Sequence, residues 1–143
     1  AHDYLGPAST APGEVRNVIV IISDGQDDQS RYSREEALDQ AEDAGAVIYT
    51  IGTEPTGADP ESDGVLKRFA NQTGGLSYFP IEARDLSSAF QHIATELRHQ
   101  YTVTYSPDNF VPNNAFHTVD IKILVKGVSA RTRKGYFARP TSH

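Results

Sequence analysis

The first half of the chain contains short apolar runs that predict buried strands. Residues 18–23 read VIVIIS and residues 46–52 read AVIYTIG. Runs of β-branched and apolar residues of this length are typical of strands that are covered on both faces of a parallel sheet. A shorter run, LSYF at residues 76–79, predicts a third strand. Because the first run is followed directly by Asp24 and Gly25, the sequence predicts a carboxylate and a sharp turn at the carboxyl end of a buried strand.

The segments between these runs have the pattern of helices. In SREEALDQAEDAG, Ser33 and Glu36 have the spacing of a capping box, and Gly45 is placed to end the helix. A second helix, VLKRFANQT, is expected to begin after a cap at Ser62 or Asp63. Strands that alternate with helices form right-handed βαβ units, so the sequence predicts parallel pairing.

The helix with the clearest period covers LSSAFQHIATELRHQ, with Asp85 as its predicted cap. Its apolar residues recur at helical spacing on one face, and they are Leu86, Phe90, Ile93 and Leu97. The order strand, helix, strand, helix, strand, helix is that of a doubly wound α/β sheet. We therefore expect helices on both faces of the sheet.

The last third of the chain has a different pattern. The segments YTVTYSP, FHTVDIKILVKG and SARTRKGYFARP alternate apolar and polar residues, which predicts three antiparallel strands with one solvated face. The expected organisation is an N-terminal remnant of an upstream helix and linker over residues 1–15, an α/β half-domain over residues 16–100, and a β extension of the same domain over residues 101–143.

Composition narrows the class of protein further. The chain has 143 residues and no cysteine, so it has the size of one domain and no disulfide or thiolate chemistry. Residues 1–90 carry 16 acidic and 6 basic side chains, net −10, whereas residues 91–143 carry 3 acidic and 7 basic ones, net +4. An acidic front half argues against nucleic acid and favours a cation or a basic protein partner. No apolar run approaches the ~18 residues of a membrane span.

Several of these segments together resemble one family. The run VIVIISDGQDD, the capped helix, AVIYTIGT and LKRFANQTGGLSYF resemble the second half of a von Willebrand factor A (vWA) domain. More narrowly, four stretches resemble the vWA-related proteins of acidobacteria: RNVIVIISDG, GLSYFPIEARDLSSAFQHIATELRHQYTVTYSP, FHTVDIKI and ARTRKGYFA. The resemblance covers roughly Arg16 to Ala138. It implies a partial doubly wound, Rossmann-like vWA sheet with an antiparallel C-terminal β extension, and it favours an extracytoplasmic or secreted location, although the compartment stays open.

The resemblance also implies a metal-ion-dependent adhesion site. In the family, three loops supply the ligands: an Asp-x-Ser-x-Ser loop, a threonine, and a third-loop aspartate that matches Asp24. The implied cofactor is Mg²⁺ or another divalent cation such as Mn²⁺ or Ca²⁺, which all prefer oxygen ligands. The first two loops would precede Ala1, and the nearest approach to the missing motif, Asp28-Gln-Ser30 followed by Arg and Tyr32, is incomplete. Asp27 and Asp28 are weaker candidates that would act on the electrostatic potential of the site.

Other readings of the same residues stay open. Asp-Gly is a common turn pair, so Asp24 is also explained as a turn residue. A calcium loop of the EF-hand type does not fit, because glycine is the second residue of DGQDD. A phosphoester hydrolase with Asp24 as nucleophile lacks a second aspartate two residues later, where Gln26 stands, and we expect no enzyme.

A further expectation concerns the edge of the sheet. In the family the strand at residues 18–23 pairs with a strand that lies upstream, so here it is expected at an open edge. Such an edge predicts a homodimer, with a domain-swapped dimer as one form, or else coverage of the strand by the N-terminal segment or the C-terminal hairpin. It also suits a metal-independent assembly module that uses the strand for contacts.

Overall fold

The computed structural model describes residues 16–26, 30–54, 59–108 and 110–140. The predicted N-terminal remnant over residues 1–15 lies outside the described residues, as do Asp27 and Asp28.

The core of the fold is a parallel sheet. Its strands are β1 (Val18–Ser23), β2 (Val47–Gly52) and β3 (Ser77–Tyr78), in the order β1-β2-β3. β1 and β2 pair along their full length, whereas β3 pairs only with Thr50 and Ile51. The predicted strands and their parallel pairing are confirmed, and β2 is the central strand.

Three helices follow the three strands. They are α1 (Arg34–Asp43), α2 (Pro60–Thr73) and α3 (Ala83–Arg98). The capping box predicted for α1 is present: the Glu36 N–H donates to Ser33 Oγ at 3.2 Å, and the Ser33 N–H donates to Glu36 Oε2 at 2.7 Å. The turn after α1 places Gly45 at a φ of +60°, so its predicted role at the end of this helix is also confirmed.

The predicted caps of α2 and α3 are wrong. α2 is capped by Asp59 rather than by Ser62 or Asp63, because Pro60 takes the first helical position, where a fixed φ and a missing N–H are tolerated. α3 is capped by Glu82, and Asp85 instead accepts the Glu82 N–H at 3.1 Å from the third helical position. Both helices therefore begin earlier than the sequence suggested.

Helices cover both faces of the sheet, as predicted. The odd-numbered residues Tyr49 and Ile51 of β2 face α3, where they pack against Ala89 and Ile93. The opposite face of β2 packs against α1 and α2 in a second cluster around Ala41, Ala46 and Ile48. The strict alternation along β2 thus creates two apolar layers. Phe90, predicted on the packing face of α3, is 42% exposed, and Ala89 takes that position in the core.

Buried hydroxyl groups fix α2 to the central strand. Thr73 Oγ1 accepts the Ile48 N–H at 2.9 Å and donates to the Phe69 carbonyl at 2.9 Å. Thr50 Oγ1 lies 3.2 Å from the Leu66 carbonyl, so two threonines connect helix and strand. These contacts give partners to polar groups that would be costly to bury alone.

β1 is only partly covered, which differs from the expectation of a strand buried on both faces. Val20 is 38% exposed and Ile22 is 52% exposed, because α3 packs over β2 and β3 rather than over the end of β1. Among the described residues, β1 pairs with β2 alone and forms one edge of the sheet. The predicted open edge is therefore present in the described part of the chain.

The C-terminal extension contains fewer strands than predicted. Only β4 (Phe116–Thr118) and β5 (Gly135–Phe137) form, and they pair antiparallel with Phe116 opposite Phe137. The segment YTVTYSP forms no strand, and its Tyr101 is 91% exposed. Alternation of apolar and polar residues is a local signal, whereas a strand also needs a partner along its length.

The extension lies against the C-terminal ends of the three helices. Arg139 pairs with Asp43 at the end of α1, and Arg131 pairs with Glu96 near the end of α3. The Lys134 N–H donates to the Gln72 carbonyl of α2 at 3.0 Å. Helix C-termini carry partial negative charge, so basic residues suit this position.

Candidate functional site

Asp24 lies directly after β1, at the carboxyl edge of the sheet. Its side chain is exposed, and Asp24 Oδ1 accepts the Gln26 N–H at 3.0 Å, which forms an Asx turn. Ser23 Oγ accepts the Gly25 N–H at 3.0 Å. Two short side-chain contacts to the backbone therefore define the direction of the chain as it leaves β1.

Gly25 brings this turn against the first turn of α2. Its φ is +86°, and a Cβ at this position would lie 2.6 Å from the carbonyl oxygen of Ser62. The Thr53 N–H also donates to the Ser23 carbonyl at 3.1 Å, which joins the ends of β1 and β2. The turn after β1 is thus held between the end of β2 and the N-terminus of α2.

The N-terminus of α2 brings further acidic groups to this edge of the sheet. Asp59 Oδ2 accepts the Ser62 hydroxyl at 2.6 Å, and this bond together with the Ser62 and Glu61 N–H groups holds the pKa of Asp59 below its usual value. Asp63 Oδ2 lies 3.8 Å from Lys67 Nζ one turn later. Carboxylates are stabilised at a helix N-terminus, so the acidity of α2 has a structural explanation of its own.

The residues proposed as metal ligands are not all brought together. Asp24 is where the sequence placed it, and Asp27 and Asp28 lie outside the described residues. Within the described ranges, no three His, Cys, Asp or Glu side chains gather in a way that could hold a metal ion. Ca²⁺ takes six to eight oxygen ligands and Mg²⁺ requires an octahedral set. The described residues alone therefore do not form a complete cation site. Among the predicted ligands, only the carboxylate of Asp24 is in place.

Sequence reasoning missed two features of this edge. The close approach of Gly25 to Ser62 joins parts of the chain that are distant in the sequence, so no local sequence pattern predicts it. The cap at Asp59 did have a signal, because an Asp followed by Pro is the typical start of a helix with proline at its first position.

Taken together, a parallel sheet with helices on both faces and an exposed acid at its carboxyl edge define a Rossmann-like α/β fold. Residues 3–96 match the family model of the von Willebrand factor type A domain. Since this match covers more than half of the chain, the protein belongs to the von Willebrand factor type A domain family, whose members generally take part in protein–protein interaction and adhesion.

Comparisons with individual proteins add less. No curated protein matches the chain. Among solved structures, the chain is similar to an uncharacterized membrane spanning protein from Vibrio fischeri, with 23% identity, a TM-score of 0.49, and coverage of 61% of this chain and 48% of that one. The chain thus spans about half the length of that protein. In the part of this chain that the structure describes, no helix is both long and apolar enough to cross a membrane.

Proposed function

We propose that this chain is a binding module that recognises a protein or another ligand at the carboxyl edge of its sheet, and that it is not an enzyme. The observation that supports this proposal is the exposed carboxylate of Asp24, held by an Asx turn at the end of β1. In open α/β sheets, ligands bind outside the carboxyl ends of the strands. The family's general role in protein–protein interaction agrees with this position.

We further propose that a divalent cation assists binding and that Asp24 is one of its ligands. The remaining oxygen ligands would have to come from outside the described residues, since those residues do not complete a site. A bound Mg²⁺, Mn²⁺ or Ca²⁺ would supply an open coordination position for a carboxylate of the partner. Asp27 and Asp28 would add negative potential without direct ligation.

Calorimetric titration with each of the three cations tests this proposal. It is carried out on this chain and on the protein with any coding sequence that precedes Ala1. We expect binding to be lost in Asp24→Asn and kept in Asp120→Asn, which removes the same charge from an exposed position in the extension. Equal cation binding by the two variants, or none by any form of the protein, would contradict the role of Asp24.

A second candidate function is metal-independent assembly through the edge strand. It is supported by β1, which exposes Val20 and Ile22 and pairs on one side only among the described residues. Sedimentation velocity should then show a concentration-dependent dimer that a chelator does not affect. Ile22→Lys should abolish the dimer, whereas Ile81→Lys, at a position 78% exposed and distant from β1 in the sequence, should not. A monomer at all concentrations would rule out this function.

Two finer assignments remain proposals. The similarity to acidobacterial vWA-related proteins rests on RNVIVIISDG, on the stretch from residue 75 to residue 107, and on FHTVDIKI and ARTRKGYFA. The less favoured function, phosphoester hydrolysis, would require turnover that Asp24→Asn abolishes, and an assay with a general phosphoester substrate distinguishes it from binding.

A further inference from the structure

One turn of the C-terminal extension combines exposed apolar residues with lysines. We call residues 121–128 (IKILVKGV) the apolar–basic tip. Leu124 is 97% exposed and Val125 is 64% exposed, and Lys122 and Lys126 flank them on either side. The Val128 N–H donates to the Val125 carbonyl at 3.4 Å, and Gly127 has a φ of +79°, so the chain reverses here.

The lysines of the tip have no acidic partner in the described part of the chain. The ion pairs there involve Lys67 and four arginines, and none includes Lys122 or Lys126. Exposed apolar side chains grouped in one turn gain free energy when a partner removes them from water, and the flanking lysines favour a partner that is negatively charged. A partner that suits both groups is apolar inside and negatively charged outside.

A cavity lies beside the tip. Tyr101 and Val103, which are 91% and 72% exposed, line a cavity of about 870 Å³ together with Ile121, Ile123 and Val128 of the tip. Val18, Glu42 and Glu96 line the same cavity, so it lies between the extension and the α/β body, and Leu124 and Val125 do not line it. The tip therefore presents Leu124 and Val125 away from this cavity.

The extension and the α/β body carry opposite net charges. Residues 101–140 contain 6 basic and 2 acidic side chains, net +4, whereas residues 16–100 contain 7 basic and 15 acidic ones, net −8. Near a negatively charged surface the α/β body would be repelled and the extension attracted. The electric field would therefore present the tip to such a surface.

We propose that the apolar–basic tip docks on the surface of a bilayer that contains anionic phospholipids. Leu124 and Val125 enter the boundary between head groups and acyl chains, while Lys122 and Lys126 remain at the level of the phosphates. Two lysines and two aliphatic side chains form a small contact, so the binding is weak and reversible. This proposal concerns the extension and does not depend on the role of Asp24.

Vesicle binding tests the electrostatic part of the proposal. We expect co-sedimentation with mixed phosphatidylcholine–phosphatidylglycerol vesicles, less with phosphatidylcholine alone, and a decrease at high salt. At ~1 kcal/mol for each lysine near the surface, Lys122→Gln with Lys126→Gln should lower the partition coefficient about 30-fold. The control, Arg31→Gln with Arg34→Gln, changes the net charge equally on the acidic body and should leave it unchanged. Failure of the unaltered protein to bind the anionic vesicles overturns the proposal.

Insertion is tested by a fluorescent reporter. The chain has no tryptophan, so Leu124→Trp introduces a single one at the tip, and Ile81→Trp places a single one on the body. We expect a blue shift and quenching by brominated lipid for Leu124→Trp only. If Leu124→Trp binds the vesicles without a shift, the contact is simple adsorption and the docking proposal is wrong.

A second copy of the chain is the main alternative occupant of the tip. If the protein self-associates without lipid, and Leu124→Ser with Val125→Ser abolishes this association, the tip is a protein interface and the lipid proposal is overturned. If the same variant stays monomeric like the unaltered protein and loses vesicle binding, the proposal is supported.

Discussion

The substitution Gly25→Ala tests whether the turn that carries Asp24 is pressed against α2. A φ of +86° places an alanine in a left-handed conformation, which costs about 1–2 kcal/mol for a residue with a Cβ. The added methyl group would also lie 2.6 Å from the Ser62 carbonyl oxygen. This oxygen belongs to the backbone of a helix and cannot rotate away, so overpacking adds about 1–3 kcal/mol. We expect a total loss of about 2–5 kcal/mol in the free energy of unfolding.

Urea unfolding followed by circular dichroism measures this loss, and Gly127→Ala is the matched control. Gly127 has a similar φ of +79°, but a Cβ at this position would have no heavy atom within 4 Å. The control therefore carries only the cost of the backbone conformation. The difference between the two variants, about 1–3 kcal/mol, isolates the contact with Ser62. If Gly25→Ala costs no more than Gly127→Ala, the turn after β1 is not packed against α2, and the geometry derived for Asp24 is refuted.

Three further predictions concern the helices. Gly64→Ala should raise the free energy of unfolding by about 0.5–1 kcal/mol, because Gly64 is exposed inside α2 and no atom lies within 4 Å of an added Cβ; urea titration checks this. Ser33→Ala should lower it by about 1 kcal/mol in the same assay through loss of the α1 cap, and an unchanged midpoint would contradict the cap. The third concerns pH. Hydrogen bonds from Ser33 lower the pKa of Glu36 in the folded protein. Its ionised carboxylate therefore adds to the free energy of unfolding above pH 4.5, the pKa of an unfolded glutamate, and this stabilisation is lost as the pH falls. Burial raises the pKa of Glu42 in the folded protein. Its protonated carboxyl group therefore adds to the free energy of unfolding below pH 4.5, and this stabilisation is lost as the pH rises. The free energy of unfolding is measured at pH 3 and at pH 7. Glu36→Gln should make the rise in this free energy from pH 3 to pH 7 smaller, and Glu42→Gln should make it larger.

The parallel layer could be predicted from the sequence because its signals are local and strong. Continuous β-branched residues define β1, and the spacing of Ser33 and Glu36 defines the start of α1. The caps of α2 and α3 were placed too late because the apolar period begins after the first turn, which in α2 consists of polar residues. The Asp59-Pro60 pair was the better signal.

The extension and the packing around Asp24 could not be predicted in the same way. Alternation over residues 101–107 indicates a half-buried strand, but whether a partner strand is present depends on distant residues. The position of Asp24 followed from the strand before it. Its neighbour at Ser62 depends on how α2 crosses the sheet, and that is a property of the whole fold.

The position of α2 has a consequence for communication across the molecule. Its first turn meets Gly25, and its last turn meets the extension, where Lys134 donates to the Gln72 carbonyl. With 14 residues the helix is about 21 Å long. Sliding it along β2 would leave the Ile48 N–H without its threonine acceptor, at about 1–3 kcal/mol. The turn at Gly25 and the C-terminal extension are therefore connected by one helix, α2. A ligand that moved the first turn of α2 as a rigid body with the rest of the helix would also displace the contact between Lys134 and Gln72.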